Sequence, residues 1–248
     1  MDNQREGRDV GLDLAAVARL LADGTRAEFC LALLDGRAWT ATELARRAGV
    51  AASSATEHLN VLVRGGLLVE ERHGRHRYLR LADPRVMALI ESLAALAPQH
   101  APRPRSLSGS GRQRALARAR LCYDHLAGEL GLAVTDAMAD HGLLDWGTDP
   151  SLTAKGAAWV NGLGIVLPDA SASRRPLVRA CLDWTERRPH LGGAVGAAIC
   201  GHALAAGWLT RIGTTRALTL TDLGRRELRD HIGLPATTAL PPRDQEAE

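Results

Sequence analysis

Thr40-Ala41-Thr42-Glu43-Leu44-Ala45-Arg46-Arg47-Ala48-Gly49-Val50-Ala51-Ala52-Ser53-Ser54-Ala55-Thr56-Glu57-His58-Leu59-Asn60-Val61-Leu62-Val63-Arg64 is the stretch on which the fold turns. Its periodicity predicts two short helices, 41–48 and 54–65, joined by Gly49 to Ser53. A glycine just past the first helix permits a left-handed stop, and a serine is suited to open the second. Two such helices across so short a turn make a helix-turn-helix. On the second helix Ala55, Leu59 and Leu62 fall at i, i+4 and i+7 and face inward. Ser54, Glu57, His58, Asn60 and Arg64 then point away, as hydrogen-bonding groups that a DNA major groove accepts. Thr40, Thr42, Ser53 and Thr56, at the two helix starts, complete the candidate contacts from this stretch.

Upstream, the pattern predicts helices at 11–22 and 25–35. Thr25-x-x-Glu28, Thr40-x-x-Glu43 and Ser54-x-x-Glu57 all have capping-box spacing, in which hydroxyl and carboxylate satisfy free N–H groups reciprocally. Downstream, Gly65-Gly66-Leu67-Leu68 ends the helical period. Val69 to Leu81 follows as two strand-like arms around His73-Gly74-Arg75. Arg72, His73, Arg75, His76, Arg77 and Arg80 make this hairpin basic, fit to lie over phosphates or in a minor groove. Glu70 and Glu71 blunt its base, so contacts are expected toward the tip from Arg72, His73, Arg75 and Arg77. A further helix, 84–97, carries Val86, Leu89, Ile90, Leu93 and Leu96 on one stripe.

These motifs, in this order, resemble the ArsR/SmtB winged-helix repressors. The resemblance rests on Leu21-Ala22-Asp23-Gly24-Thr25-Arg26, Glu43-Leu44-Ala45, Gly49-Val50, Ser53 to Leu62, Gly66-Leu67-Leu68 and Gly74 to Leu81, and covers roughly residues 12–97. It implies a homodimer paired through the first helix and the helix at 84–97. It further implies binding to an imperfect palindrome and repression until an inducer arrives. The family's usual metal sites do not carry over. Trp39 to Leu44, where its thiolate motif would lie, holds no cysteine, and after Asp83 no histidine follows until His100. Cys30, on an apolar helical face, reads as a core residue.

Composition sets the outer limits. The 248 residues are 46% hydrophobic but only 3% aromatic, so helical cores of small and aliphatic side chains are expected. The net charge of +3 announces no global field for nucleic acid, and the cations are almost wholly arginine. Cys30, Cys122, Cys181 and Cys200 form no CxxC pair and are expected to be reduced thiols. A polar N-terminus and the lack of any run of about 18 apolar residues point to a cytoplasmic protein without membrane contact. Pro, Gly and Ser mark residues 98–111 as a linker, and the Pro-containing, charged segment 235–248 is expected to be disordered. The expected organisation is a 10–97 winged helix-turn-helix domain for DNA binding and dimerisation, a 98–111 linker, a 112–234 domain for sensing or dimerisation, and the 235–248 tail. The linker and following helix start carry Arg103, Arg105, Arg112, Arg114, Arg118 and Arg120 without an acid, and either trail along phosphates or are simply solvated.

The second domain repeats itself. Arg120-Leu121-Cys122-Tyr123-Asp124 resembles Arg179-Ala180-Cys181-Leu182-Asp183, and His125 to Ala133 pairs with His190 to Ala198. Gly142-Leu143-Leu144 then matches Gly207-Trp208-Leu209, and Leu152-Thr153-x-Lys155-Gly156 matches Leu220-Thr221-x-Leu223-Gly224. Each unit reads as a helix, a short hairpin and a second helix, giving two degenerate winged-helix-like repeats. The expected helices, Leu121 to His141 and His190 to Ala206, contain no Arg or Lys and so lack the cations whose pairing with phosphate supplies most DNA affinity. Cys122, Asp124, His125, Cys181, Asp183 and His190 form a potential ligand constellation. Cys122, His125, Cys181 and His190 are the candidate metal ligands, and a divalent metal ion is the candidate cofactor. Three readings stay open for this half: a metal site, an organic-ligand site, and pure packing.

The expected fold class is mainly α with small β-hairpin wings, a winged helix-turn-helix domain followed by a helical repeat domain. The expected function is a DNA-binding transcriptional regulator, a homodimeric repressor released from double-stranded operator DNA by an unknown inducer: a small molecule, a metal or a redox signal. The alternative is a winged-helix protein–protein adaptor without sequence-specific DNA binding. No P-loop, GxGxxG after a strand, HExxH or GxSxG is present, so no enzyme is expected.

Overall fold

Aspartate side chains open the first two helices. In α1 (Leu14–Leu21) Asp13 Oδ1 accepts from the Ala16 N–H at 2.9 Å, and in α2 (Gly24–Ala32) Asp23 Oδ1 accepts from the Arg26 N–H at 2.9 Å. Thr25 therefore lies inside α2, and the expected box with Glu28 does not form. The structure, a computed structural model, describes residues 13–74, 76–98, 107–168 and 175–235. Helix α2 ends earlier than expected and tightens into a 3-10 turn, Leu33–Asp35. Next come β1 (Trp39–Thr40), α3 (Ala41–Ala48), α4 (Ala52–Arg64), β2 (Leu68–His73) and β3 (His76–Leu81).

The Thr40–Glu43 box forms as expected: Thr40 Oγ1 accepts from the Glu43 N–H, and Glu43 Oε2 accepts from the Thr40 N–H at 2.8 Å. Gly49 closes α3 at φ 70°, a conformation that costs a side-chain-bearing residue energy. Helix α4 starts two residues before the expected Ser54, after Ala51 and without a side-chain cap. Ser54 is thus helical, and its hydroxyl does not reach the orphan N–H groups as a cap would.

The described residues divide into two compact units, one reaching Leu33 and resuming over Ala38–Ala82, the other formed by Leu34–Arg37 with residues from Asp83 on. In the first, α2, α3 and α4 pack together and bury Phe29, Cys30, Leu44, Ala55, Leu59 and Leu62. A three-stranded antiparallel sheet, order β1-β3-β2, sets Leu68 opposite Leu81 and His73 opposite His76. Each fully buried leucine contributes about 1.5–3 kcal/mol of transfer free energy, so the stripe of α4 fixes its rotation against α2 and α3.

The second unit contains α5 (Pro84–Leu96), capped by Asp83, and α6 (Leu107–Arg118). Two copies of one pattern follow. The first is β4 (Arg120–Cys122), β5 (His125–Ala127), α7 (Glu129–Asp140), β6 (Leu144–Asp145), β7 (Ser151–Leu152) and α8 (Ala154–Gly162). The second is β8 (Arg179–Leu182), β9 (Pro189–Gly192), α9 (Gly193–Ala205), β10 (Leu209–Arg211), β11 (Leu218–Leu220) and α10 (Asp222–Ile232). The internal repeat is therefore present, with a correction. Leu121 to Ala127 is not the start of a helix but the hairpin β4–β5, and α7 begins only at Glu129; likewise His190 to Gly192 is strand, not helix.

Matched devices hold the copies in shape. Thr153 and Thr221 cap α8 and α10, and their hydroxyls donate to Gly142 O and Gly207 O, each at 2.8 Å. Gly156 and Gly224 pass so close to the carbonyls of Leu143 and Trp208 that a Cβ at either would overlap the oxygen. Leu130, Val134 and Met138 of α7 share a core with Val195, Ile199, Trp208, Leu228 and Ile232. Among the described residues no helix is long and apolar enough to cross a membrane. The tail from 236, most of the linker and Arg75 lie outside the described residues.

Candidate nucleic-acid interface and a buried Cys/His cluster

In the first unit α4 buries Ala55, Leu59 and Leu62 and turns its remaining surface outward. Ser53, Thr56, Glu57 and Arg64 are exposed, and Ser54, His58 and Asn60 are half-buried. Thr42 is exposed on α3, whereas the Thr40 hydroxyl is engaged in its cap. Thr56 donates its hydroxyl back to Ala52 O at 2.9 Å. His58 leans on the neighbouring helix start, with Nδ1 3.5 Å from Asp23 Oδ1. That carboxyl is held below its usual range chiefly by the Arg26 N–H, with burial opposing and the charge of His58 assisting.

The arms of the hairpin are ion-paired at their base. Arg77 Nε donates to Glu70 Oε2 at 2.7 Å, and Arg80 reaches Glu71 at 3.3 Å. Arg72 is exposed. Of His73 the strand position is described, opposite His76. One exposed cation on α3, Arg46, is absent from the sequence-based contacts, because inward and outward faces were assigned only on the second helix; its neighbour Arg47 is tied to Glu28 at 3.0 Å.

In the second unit the hairpins β4–β5 and β8–β9 bring four donor side chains together. Cys122 stands opposite His125 in one ladder, and Cys181 opposite His190 in the other. One ligand-type atom from each of the four lies within 4.8 Å of all the others. The two sulfurs are 3.8 Å apart, and the imidazole centroids 5.1 Å. His125 is 1% exposed and His190 0%. Nonetheless His125 Nε2 and both ring nitrogens of His190 are buried without a hydrogen-bond partner among the described residues. Each ring has a carboxylate beside Nδ1: Asp124 Oδ1 at 3.4 Å from His125 and Asp183 Oδ2 at 3.4 Å from His190, the latter too poorly aligned for a hydrogen bond.

Charged groups surround the cluster in a fixed array. Cys122 Sγ donates to Glu91 Oε2 at 3.4 Å, and Glu91 Oε1 accepts from Arg216 at 2.9 Å. Arg216 also donates from Nε to Leu34 O at 2.8 Å and from Nη1 to Leu121 O at 2.7 Å. Asp183 accepts from Arg120 and from the Gly128 N–H, both at 2.7 Å. Burial pushes the Asp183 carboxyl up, but the Arg120 charge and these hydrogen bonds outweigh it and hold the group well below the carboxylate range. The hydrogen bond with Cys122 lowers the Cys181 thiol against the pull of burial, and the imidazoles of His125 and His190 add to the lowering. The same bond, burial and the charge of Glu91 raise Cys122. Cys30 and Cys200 stand apart as core thiols that burial pushes up to about 12. Glu91, Arg120 and Arg216 were invisible as site residues, since nothing local marks a charge whose partner is distant in sequence.

Comparison with known proteins bears on both units. A helix-turn-helix domain family matches residues 21–71. The chain is 37% identical over 223 residues to the uncharacterized HTH-type transcriptional regulator YdfF of Bacillus subtilis strain 168, covering 90% of this chain and 98% of that one. The chain belongs to the HTH-type transcriptional regulators. Because that likeness runs through nearly the whole length, the regulator's second unit is part of what is shared. Similar solved structures include the cadmium metal-sensor CMTR from Mycobacterium tuberculosis, 33% identical, covering 38% of this chain and 97% of that chain at a TM-score of 0.30. The homodimeric winged helix-turn-helix DNA-binding domain of Mb0332 from Mycobacterium bovis is 24% identical, covering 35% and 86%, with a TM-score of 0.32. This protein is a transcriptional regulator with a winged helix-turn-helix DNA-binding unit, mainly helical with small antiparallel hairpins.

Proposed function

We propose that this regulator is a homodimeric repressor that sets α4 into the major groove of double-stranded operator DNA and lets go when an inducer binds its C-terminal part. One observation carries the reading: α4 anchors itself by Ala55, Leu59 and Leu62 and presents Ser53, Thr56, Glu57, Asn60 and Arg64 on the remaining surface. Ser54, His58 and Thr42 extend that surface, Thr40 fixes the start of α3, and Arg72, His73, Arg75 and Arg77 supply the wing. Residues 10–97 act in DNA binding and dimerisation, and residues 112–234 in sensing, in the cytoplasm.

A second copy is the occupant that suits the uncovered apolar side chains. Leu14 on α1 is 77% exposed and Leu96 on α5 is 76% exposed, with Leu89 and Leu93 beside it on α5. These are the two helices through which the ArsR/SmtB resemblance implies pairing, and an apolar stripe at helical spacing is what a helix–helix interface requires.

The test is anisotropy binding of the full chain to promoter fragments from its own gene neighbourhood, across a salt series. A specific site should be bound about 10³-fold or more tightly than random duplex. Asn60→Ala should cost about 1–3 kcal/mol at that site and little on random DNA, whereas Arg72→Ala should weaken both and flatten the salt dependence. Equal affinity for all duplexes, unchanged by Asn60→Ala, would overturn the proposal in favour of an adaptor.

A further inference from the structure

We infer that Cys122, His125, Cys181 and His190 form a four-coordinate site for a zinc-class divalent cation, built jointly by the two repeats. The site stands on its own geometry and does not depend on the operator reading. Its donors are two thiols and two imidazoles, the set that favours tetrahedral zinc, cadmium or cobalt over magnesium or calcium.

The spacing fits a metal better than either rival. A tetrahedral ion with metal–sulfur bonds of about 2.3 Å holds two thiolates about 3.8 Å apart, and the sulfurs stand 3.8 Å apart. A disulfide would need about 2.05 Å, and it would leave the imidazoles as they are. Pure packing fares worse, because it places His125 and His190 in the interior with partnerless Nε2 atoms, each an expensive desolvated group. A cation supplies that missing partner to both rings.

The surroundings are those of a ligand shell. Asp124 is hydrogen-bonded to His125 Nδ1, where a carboxylate turns the opposite Nε2 lone pair toward an ion, and Asp183 lies 3.4 Å from His190 Nδ1 as a nearby negative charge. In the metal-free chain Glu91 receives the Cys122 thiol and is itself neutralised by Arg216, and on loading that hydrogen bond is given up together with the thiol proton. On loading, two metal–sulfur bonds form, the two thiol protons leave to solvent, and the imidazoles bind as neutral donors. Two thiolates then balance the dication in a buried place, with no change of oxidation state.

The experiment uses the full-length, reduced, metal-free chain titrated with Co²⁺ and then Zn²⁺. One equivalent of Co²⁺ should give the visible bands of a tetrahedral ion and a near-ultraviolet thiolate-to-cobalt band, and Zn²⁺ should erase both. Cys122→Ser and Cys181→Ser should each abolish or sharply weaken the thiolate band, while Cys30→Ser and Cys200→Ser leave it intact. Asp124→Asn should weaken Zn²⁺ affinity about 10-fold or more. Should the ligand variants not fold, X-ray absorption of the Zn²⁺-loaded parent decides, with two sulfurs and two nitrogens expected. A folded parent that takes up no Co²⁺, a shell of oxygen and nitrogen alone, or a Cys122–Cys181 disulfide forming in place of metal uptake would overturn the inference. DNA is absent from these measurements, so their failure leaves the operator proposal standing, and the reverse holds too.

Discussion

Replacing Asp183 tests how the second unit is held around its cluster. Asp183 and Arg120 are both 0% exposed and meet at 2.7 Å. Asp183→Asn keeps the shape but removes the charge, and the amide must turn a donor toward Arg120, the Thr185 and Glu186 N–H groups or the Gly128 N–H. The Arg120 charge is then left with Leu116 O, Thr185 and, among the carboxylates of the described residues, a 4.0 Å approach to Glu91. Breaking one side of such a buried pair costs about 3–5 kcal/mol, mostly the penalty of the stranded partner. Arg120→Met should cost about as much from the other side. The double variant Asp183→Asn with Arg120→Met should lose clearly less than the sum of these two singles, because no charge is left unpaired. Urea unfolding followed by tryptophan fluorescence reads this directly, since the Arg120 guanidinium lies 5.0 Å from the Trp184 ring centroid. A single-variant loss under about 1 kcal/mol, or a double equal to the sum of the singles, would refute the account given by burial and pairing.

Three further expectations concern the first unit and the dimer. Thr40→Ala removes one half of the capping box and should lower stability by about 1 kcal/mol in a thermal melt, with Thr40→Ser restoring most of it. Asp23, whose folded carboxyl lies below its unfolded value of about 3.9, should contribute its capping stability fully above that value and lose it as pH falls through the lowered folded one. The stability difference between the parent and Asp23→Ala should therefore shrink on acidification; a gap independent of pH would remove the carboxylate from the explanation. Leu93→Arg combined with Leu96→Arg should yield monomers in sedimentation and weaken operator binding, because charges cannot be buried unpaired between two apolar helices.

Much of the first unit was legible because its signals are local. Gly49 stops α3, Thr40 and Glu43 cap it, and the spacing of Ala55, Leu59 and Leu62 faces α4 inward, each device acting within one or two turns. The false signals were also local. Thr25 and Ser54 have hydroxyls at the right offset from a glutamate, but capping requires the residue itself to stay outside the helix, and Asp23 and Ala51 hold those places. The second unit was legible as a repeat but not as a shape. Cys122 and His125, three apart, look like neighbours on a helix, and the two-residue turn between them is made by Tyr123 at φ 60°, with no glycine to announce it. The candidate ligands stood out by residue type and recurrence. That they converge depends on β5 lying against β9, a long-range contact that no window of the sequence displays.

The doubling of the ββαββα pattern makes the cluster the joint property of two hairpins. Each half supplies one sulfur and one ring to the cluster, so a lone half could complete the set only by borrowing from another. Joining both in one polypeptide turns an encounter between strangers into a fixed appointment between residues 59 apart in Cys122 and Cys181. Damage to either hairpin therefore breaks up the four-residue set, and so does whatever separates one half from the other.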